Sequence, residues 1–193
     1  ELFNLLRDLR KKVAKERNIP PYVVFQDPSL EDMAINYPCN ENELKNIIGV
    51  GIGKALKFGK VFIETIKTYV EKRGIERPND FVIKSTVNKS VLKVHIIQNI
   101  DRKIPLDDIA DSKGKSVEDI ITEIEAIVYS GTKINLNYFI DGMLDEEQQR
   151  EIFDYFKESN SDSIDDAKKE FEEEYEEEEL RLMRIKFLSE LAN

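Results

Sequence analysis

Apolar side chains recur at helical spacing from the second residue onward. Leu2, Leu6, Leu9 and Val13, with Phe3, Leu5 and Ala14, lie on one face of a 3.6-residue period and predict an amphipathic first helix. Ile19-Pro20-Pro21-Tyr22 stops it, because proline lacks an N–H and disfavours the helical conformation before it. Val23-Val24-Phe25 is apolar but too short to define a strand. Asp27 and Pro28 read as N-cap and first position of a short helix through Met33 and Ala34, ended by Tyr37-Pro38. Asn40 with Glu43 predicts a capped helix reaching Ile47. Beyond Gly49-Val50-Gly51, the stripe Leu56, Phe62, Ile63, Ile66, Tyr69 and Val70 predicts a longer helix, with Gly74 as its stop.

Glu76-Arg77-Pro78-Asn79-Asp80 is polar and contains proline, which places a linker at residues 76–85 between a domain at 1–75 and one at 86–193. Helical periodicity resumes near Thr86, with Val87, Val91, Val94 and Ile97 as the expected stripe. A short helix from Pro105, a turn at Gly114, and a helix capped by Ser116 with Asp119 three residues on give a helix-turn-helix pattern that continues to Gly131. Ile134-Asn135-Leu136 reads as a wing strand or another helical turn. Helices are expected at 145–157 and about 163–190. The predicted fold class is all-α: a small helical bundle, then a helix-turn-helix or winged-helix-like domain.

Charge changes this picture. Net charge over 193 residues is −10, yet residues 1–77 carry 14 Lys/Arg against 11 Asp/Glu, and the remainder carries 15 against 28. Halves of opposite sign point to separate partners. The polar face of the first helix holds Arg7, Lys11 and Lys15 at i, i+4, i+8, with Arg10, Lys12 and Arg17 beside them and only Asp8 and Glu16 opposing. It is either a solvated face or an anion-facing one. Cys39 is the single cysteine, so no internal disulfide forms, and it reads as structural. His95 is the single histidine and nucleates no zinc site of the usual kind. No apolar run reaches bilayer-spanning length. The chain begins at Glu1, not Met, and enters a helix at once, as expected of a piece of a longer protein.

The glycine turn is the candidate contact site. Glycine lets a backbone approach another surface closely, and a helix opening beyond Gly49 and Gly51 presents N–H groups and a positive dipole end suited to phosphate. Lys54, Lys57 and Lys60 add charge there. The competing reading is a tight helix-helix turn, with those lysines serving solubility.

The series Leu5-Leu6-Arg7-Asp8-Leu9-Arg10, Ile19-Pro20-Pro21-Tyr22-Val23-Val24-Phe25, Asp27-Pro28-Ser29-Leu30-Glu31-Asp32-Met33-Ala34 and the Gly49-Val50-Gly51 turn resembles an HRDC domain, the helicase and RNase D C-terminal module. The resemblance covers about residues 1–75 and implies a small helical bundle that binds single-stranded or branched DNA weakly, or docks on proteins. It also implies that the aromatic after the two prolines, Tyr22, and basic residues near the glycine turn, Lys54 with Lys57 and Lys60, face DNA. A ring stacks on an unpaired base while lysines meet phosphates; Tyr22 as a core aromatic is the alternative. Residues 86–193 resemble the helix-turn-helix module of some bacterial RecQ-type helicases. Its second helix offers Glu118, Asp119, Glu123 and Glu125 and no Lys or Arg between Ser116 and Ser130. Carboxylates repel a phosphate backbone, so this helix is expected to be a scaffold or protein-docking surface.

No nucleotide-binding Gly-x-x-x-x-Gly-Lys-Ser/Thr loop or catalytic triad pattern is present, so no catalytic or metal-binding residue, and no cofactor, is assigned to this chain. The resemblances imply a parent ATP-dependent DNA helicase with ATP, Mg and Zn in its upstream parts, working in the cytoplasm at the bacterial nucleoid. The expected function is an accessory region tethering that motor to DNA in replication, recombination and repair, with contacts from Arg7, Lys11, Tyr22, Gly49, Gly51, Lys54, Lys57 and Lys60. The alternative is an interaction or autoregulatory module that contacts repair proteins or the helicase core. The tail of an RNase D-type nuclease fits the first domain but leaves the helix-turn-helix unexplained. The acidic run from Glu170 to Glu179 reads as a solvated helix or as an arm that mimics DNA.

Overall fold

The computed structural model describes residues 1–77 and 87–191, so most of the expected linker lies outside the described residues. Every regular element among them is a helix, and none is long and apolar enough to cross a membrane. The chain divides into two compact units, whose described residues are 1–77 with 129–131, and 87–128 with 132–191.

In the first unit, α1 (Leu2–Arg17) ends at Asn18, not at the prolines. Asn18 takes the left-handed conformation (φ 53°), and the Ile19 N–H donates to the Ala14 carbonyl at 3.1 Å. Asparagine tolerates that conformation, so the helix closes before Pro20 is reached. The Val23-Val24-Phe25 segment is not extended throughout: Pro21 opens one helical turn, α2 (Pro21–Val24), that buries Tyr22, Val23 and Val24. In α3 (Asp27–Asn36), Gln26 occupies the cap position expected of Asp27. Asp27 is drawn instead to the Arg10 guanidinium at 2.7 Å. Asn40 does cap α4 (Glu41–Leu44), its side chain accepting from the Glu43 N–H, but the helix stops short of Ile47. The reciprocal half of the box goes elsewhere, since Glu43 accepts from the Cys39 N–H at 2.6 Å and pairs with Arg77 at 2.8 Å.

The 22-residue α5 (Ile52–Arg73) is the spine of this unit. Phe62 and Phe58 meet Phe25 edge-on, with centroids at 4.9 and 6.1 Å. At Gly59 a Cβ would lie 2.5 Å from the tip of the Leu44 side chain, so a larger residue there would force that side chain to shift. Arg73 pairs with Glu1, and Arg17 donates to the Lys57 carbonyl at 3.1 Å, so α1 and α5 run antiparallel. Leu56, expected on the apolar side, is 63% exposed, because the buried stripe runs through Ala55, Phe58, Phe62 and Ile66.

The second unit comprises α6 (Val87–Asp101), α7 (Leu106–Asp111), α8 (Val117–Tyr129), α9 (Asn137–Ile140), α10 (Glu146–Glu158), α11 (Ile164–Glu170) and α12 (Glu177–Leu191). The expected stripe of α6 is displaced: Val91 and Val94 are exposed, while Ile96 and Ile100 are buried. A cluster of valines does not by itself reveal which face meets a neighbour. The helix-turn-helix pattern is present as α7, the Gly114 turn and α8, with Ser116 and Asp119 exchanging backbone-to-side-chain bonds of 3.1 Å. Residues 134–136 are neither strand nor helix; the Ile134 N–H donates to Ser189 at 3.0 Å, which anchors them on α12.

The single helix expected over 163–190 is two. Glu172 and Glu173, both left-handed (φ 50° and 62°), turn the chain between α11 and α12. Phe171 and Tyr175, both inside the span expected to be one helix, meet across that turn with centroids at 5.1 Å. The α12 residues Leu180, Leu182, Met183, Ile185, Phe187 and Leu188 are all buried, the pattern of a central helix.

Candidate nucleic-acid interface

Most cations of the first unit divide into two classes by side-chain chemistry. The planar fork of arginine suits it to carbonyls, carboxylates and rings. Arg10 is buried, its Nη1 donating to the Phe25 carbonyl at 2.8 Å beside Asp27. Arg17 lies over the Phe58 ring at 5.0 Å, Arg73 over Tyr69 at 4.8 Å, and Arg77 holds Glu43. These arginines tie the bundle together. Lys11, Lys12 and Lys15 remain exposed along α1, together with Arg7, whose guanidinium stands 6.0 Å from the Phe3 ring. No ion pair joins any of these four to a carboxylate among the described residues.

The other expected contacts separate under the structure. Lys60 is exposed on α5, near the end of the bundle that holds Lys15. Lys57 is half-buried, its ammonium 5.5 Å from the Phe58 ring. Gly49 is exposed with φ 72°, and Gly51, half-buried, is the residue from which α5 starts. Tyr22 and Lys54 lie inside the fold. Tyr22 is 6% exposed, because Pro21 winds it into α2, the core-aromatic alternative. Lys54 is 1% exposed, packed against Gly131 with its ammonium 5.9 Å from the Tyr129 ring. Neither side chain is presented to solvent. Lys12 and Lys15 extend the exposed row instead, and their helical spacing was the signal for them.

In the second unit, α8 turns Ile120, Ile121, Ile124, Ile127 and Val128 inward. Glu125, one of its four carboxylates, does not face outward. It accepts from Arg181 Nε at 3.0 Å and Nη2 at 2.9 Å, and from Arg184 Nη2 at 2.7 Å. Burial alone would raise its carboxyl pKa, but the hydrogen bonds and charges of the two arginines hold it below the ordinary value. Nothing in the sequence announced this network, because the partners lie 56 and 59 residues apart.

His95 Nε2 lies 3.0 Å from the Ser112 hydroxyl, and burial with the nearby Lys113 pushes its pKa down. Burial pushes the Cys39 thiol up, against the opposing charge of Arg77. Among the described residues no three His, Cys, Asp or Glu side chains are placed to hold a metal ion.

Comparison with known families follows these two units. Residues 1–66 match the HRDC domain. The chain carries an HRDC domain. Residues 90–140 match the RecQ-1-like helix-turn-helix domain, the stretch from α6 to α9. Over 69 residues the chain is 45% identical to the ATP-dependent DNA helicase RecQ of Bacillus subtilis (strain 168), which is 36% of this chain and 12% of that protein. It is 44% and 41% identical to the proteins of the same name from Haemophilus influenzae and Pasteurella multocida, again over 36% of this chain and 11% of each relative. The chain thus matches only a small part of the length of these relatives. An HRDC domain joined to a RecQ-1-like helix-turn-helix domain agrees with a C-terminal region of a RecQ-type protein.

Proposed function

We propose that the HRDC domain tethers a RecQ-type, ATP-dependent DNA helicase to single-stranded or branched DNA through the exposed face of α1. The observation that supports this is the division of cations: Arg10, Arg17, Arg73 and Arg77 are engaged by carbonyls, carboxylates and rings of the bundle, while Arg7, Lys11, Lys12 and Lys15 form an exposed basic row with no carboxylate partner among the described residues. Lys60 and the exposed turn at Gly49 extend the surface. Contacts of this kind position a backbone and carry little sequence preference. The parent would draw on ATP and Mg, and on Zn, in parts outside this chain, and would serve replication, recombination and repair in the cytoplasm, at the nucleoid.

Fluorescence anisotropy with a labelled single-stranded oligonucleotide tests the reading. Removing a cation that neutralises one phosphate lowers the slope of log affinity against log salt by about 0.7. Arg7→Gln/Lys11→Gln/Lys15→Gln should therefore flatten the slope by about 2 units if each residue holds one phosphate. Binding that survives this triple variant unchanged, or no binding at low salt, overturns the tether.

A second reading, a module that docks on proteins or on the helicase core, is favoured by one observation in α8. Its outward positions offer Glu118 and Asp119, and Glu125 is already held by Arg181 and Arg184. Such a helix repels phosphate and suits a protein surface.

A further inference from the structure

Between α10 and α11 lies an open groove of about 400 Å³. Its apolar lining is two rings, Tyr155 and Phe171, half-buried and edge-to-face with centroids at 5.3 Å. Its rim is carboxylate. Glu151, Asp154 and Glu158 recur at i, i+3 and i+7 on α10, which puts them on one face, and Glu170 closes the end of α11. Glu151 accepts from the Tyr175 hydroxyl at 2.8 Å. No lysine or arginine pairs with Asp154, Glu158 or Glu170 among the described residues. Lys157 and Lys169, the nearest cations in sequence, do not line the groove. The left-handed pair Glu172–Glu173 follows directly on Phe171 and turns the chain back toward Tyr175.

Two demands coexist here: ring surface open to water, and negative charge around it. An arginine side chain meets both, since its stem covers apolar surface while its guanidinium stacks on a ring and forks onto a carboxylate. We propose that this groove docks an arginine-bearing basic segment of a partner protein. The occupant follows from charge complementarity, because an acidic peptide or a nucleic acid is repelled by the rim and an uncharged apolar one leaves the rim unpaired. Arginine is preferred over lysine, which offers a point charge and no planar face. The groove does not depend on the DNA-facing surface of the HRDC domain.

The test uses the whole 193-residue chain with labelled tyrosine and phenylalanine rings, followed by NMR. The probe is acetyl-Arg-Ala-Arg-amide, with the citrulline peptide as neutral isostere and the lysine peptide as point-charge control. The arginine peptide should shift the Tyr155 and Phe171 ring signals saturably, the lysine peptide should bind more weakly, and the citrulline peptide should leave them unmoved. Asp154→Asn/Glu158→Gln should weaken binding about tenfold, as removal of charge-assisted bonds does. Both positions are exposed, so the fold should persist, while Glu123→Gln on α8 serves as a charge control that leaves affinity unchanged. Equal response to citrulline, unsaturable shifts spread over the acidic surface, no effect of the double variant, or matching shifts with a single-stranded oligonucleotide would each overturn the proposal.

Discussion

Replacing Glu125 by glutamine tests whether the second unit is keyed by its internal ion pairs. Glu125, Arg181 and Arg184 have side chains 13%, 12% and 13% exposed. Removing one member of a buried pair costs about 3–5 kcal/mol, chiefly because the remaining charge is stranded. Two arginines are stranded here, but each keeps a second partner. Arg181 donates to Thr122 at 2.8 Å with Glu118 at 3.8 Å, and Arg184 donates to the Asp162 carbonyl. These retained partners place the expected destabilisation at the low end, about 3 kcal/mol. For a unit of this size that lowers the melting temperature by about 10–20 °C. Urea titration of the whole chain, read by amide NMR, should show α8 and α12 signals disappearing at lower denaturant than in the unsubstituted chain. A destabilisation under about 0.5 kcal/mol would put the network in the class of surface pairs and refute the reasoning. A pH series checks the sign. The folded carboxyl lies below its ordinary 4.5, so its contribution is full above that value and is lost as pH falls through the folded one. The unsubstituted chain should therefore lose stability from about pH 5 downward more steeply than Glu125→Gln.

Two further substitutions probe the first unit. Gly49→Ala combines a left-handed φ of 72° with a Cβ 3.0 Å from Ser29 Oγ, and should cost about 1–2 kcal/mol in denaturant titration; a neutral result would mean that the turn relaxes. Arg10→Met keeps the apolar stem but deprives the Phe25 carbonyl and Asp27 of their donor. It should destabilise by about 1–3 kcal/mol while leaving oligonucleotide affinity unchanged, because Arg10 faces inward. Weaker binding at unchanged stability would place Arg10 among the proposed DNA contacts.

Local signals in the sequence determined the helical class, the Asn40 and Ser116 caps, the Gly74 stop and the one-sided charge of α1. Each depends on residues within one or two turns of each other, so spacing alone carries the physics. The families of both modules were legible too, in the Pro-Pro-Tyr segment, the glycine turn and the Pro105–Ser116 pattern. Tertiary structure decided what spacing leaves open: which side of a helix meets a neighbour. It turned Lys54 and Tyr22 inward and Leu56, Val91 and Val94 outward, and it diverted Asp27 from its cap to Arg10. It also broke the last acidic helix at Glu172–Glu173 and joined Glu125 to arginines 56 and 59 residues away. A helical period gives every residue an angle about its own axis. Only packing gives that angle a direction.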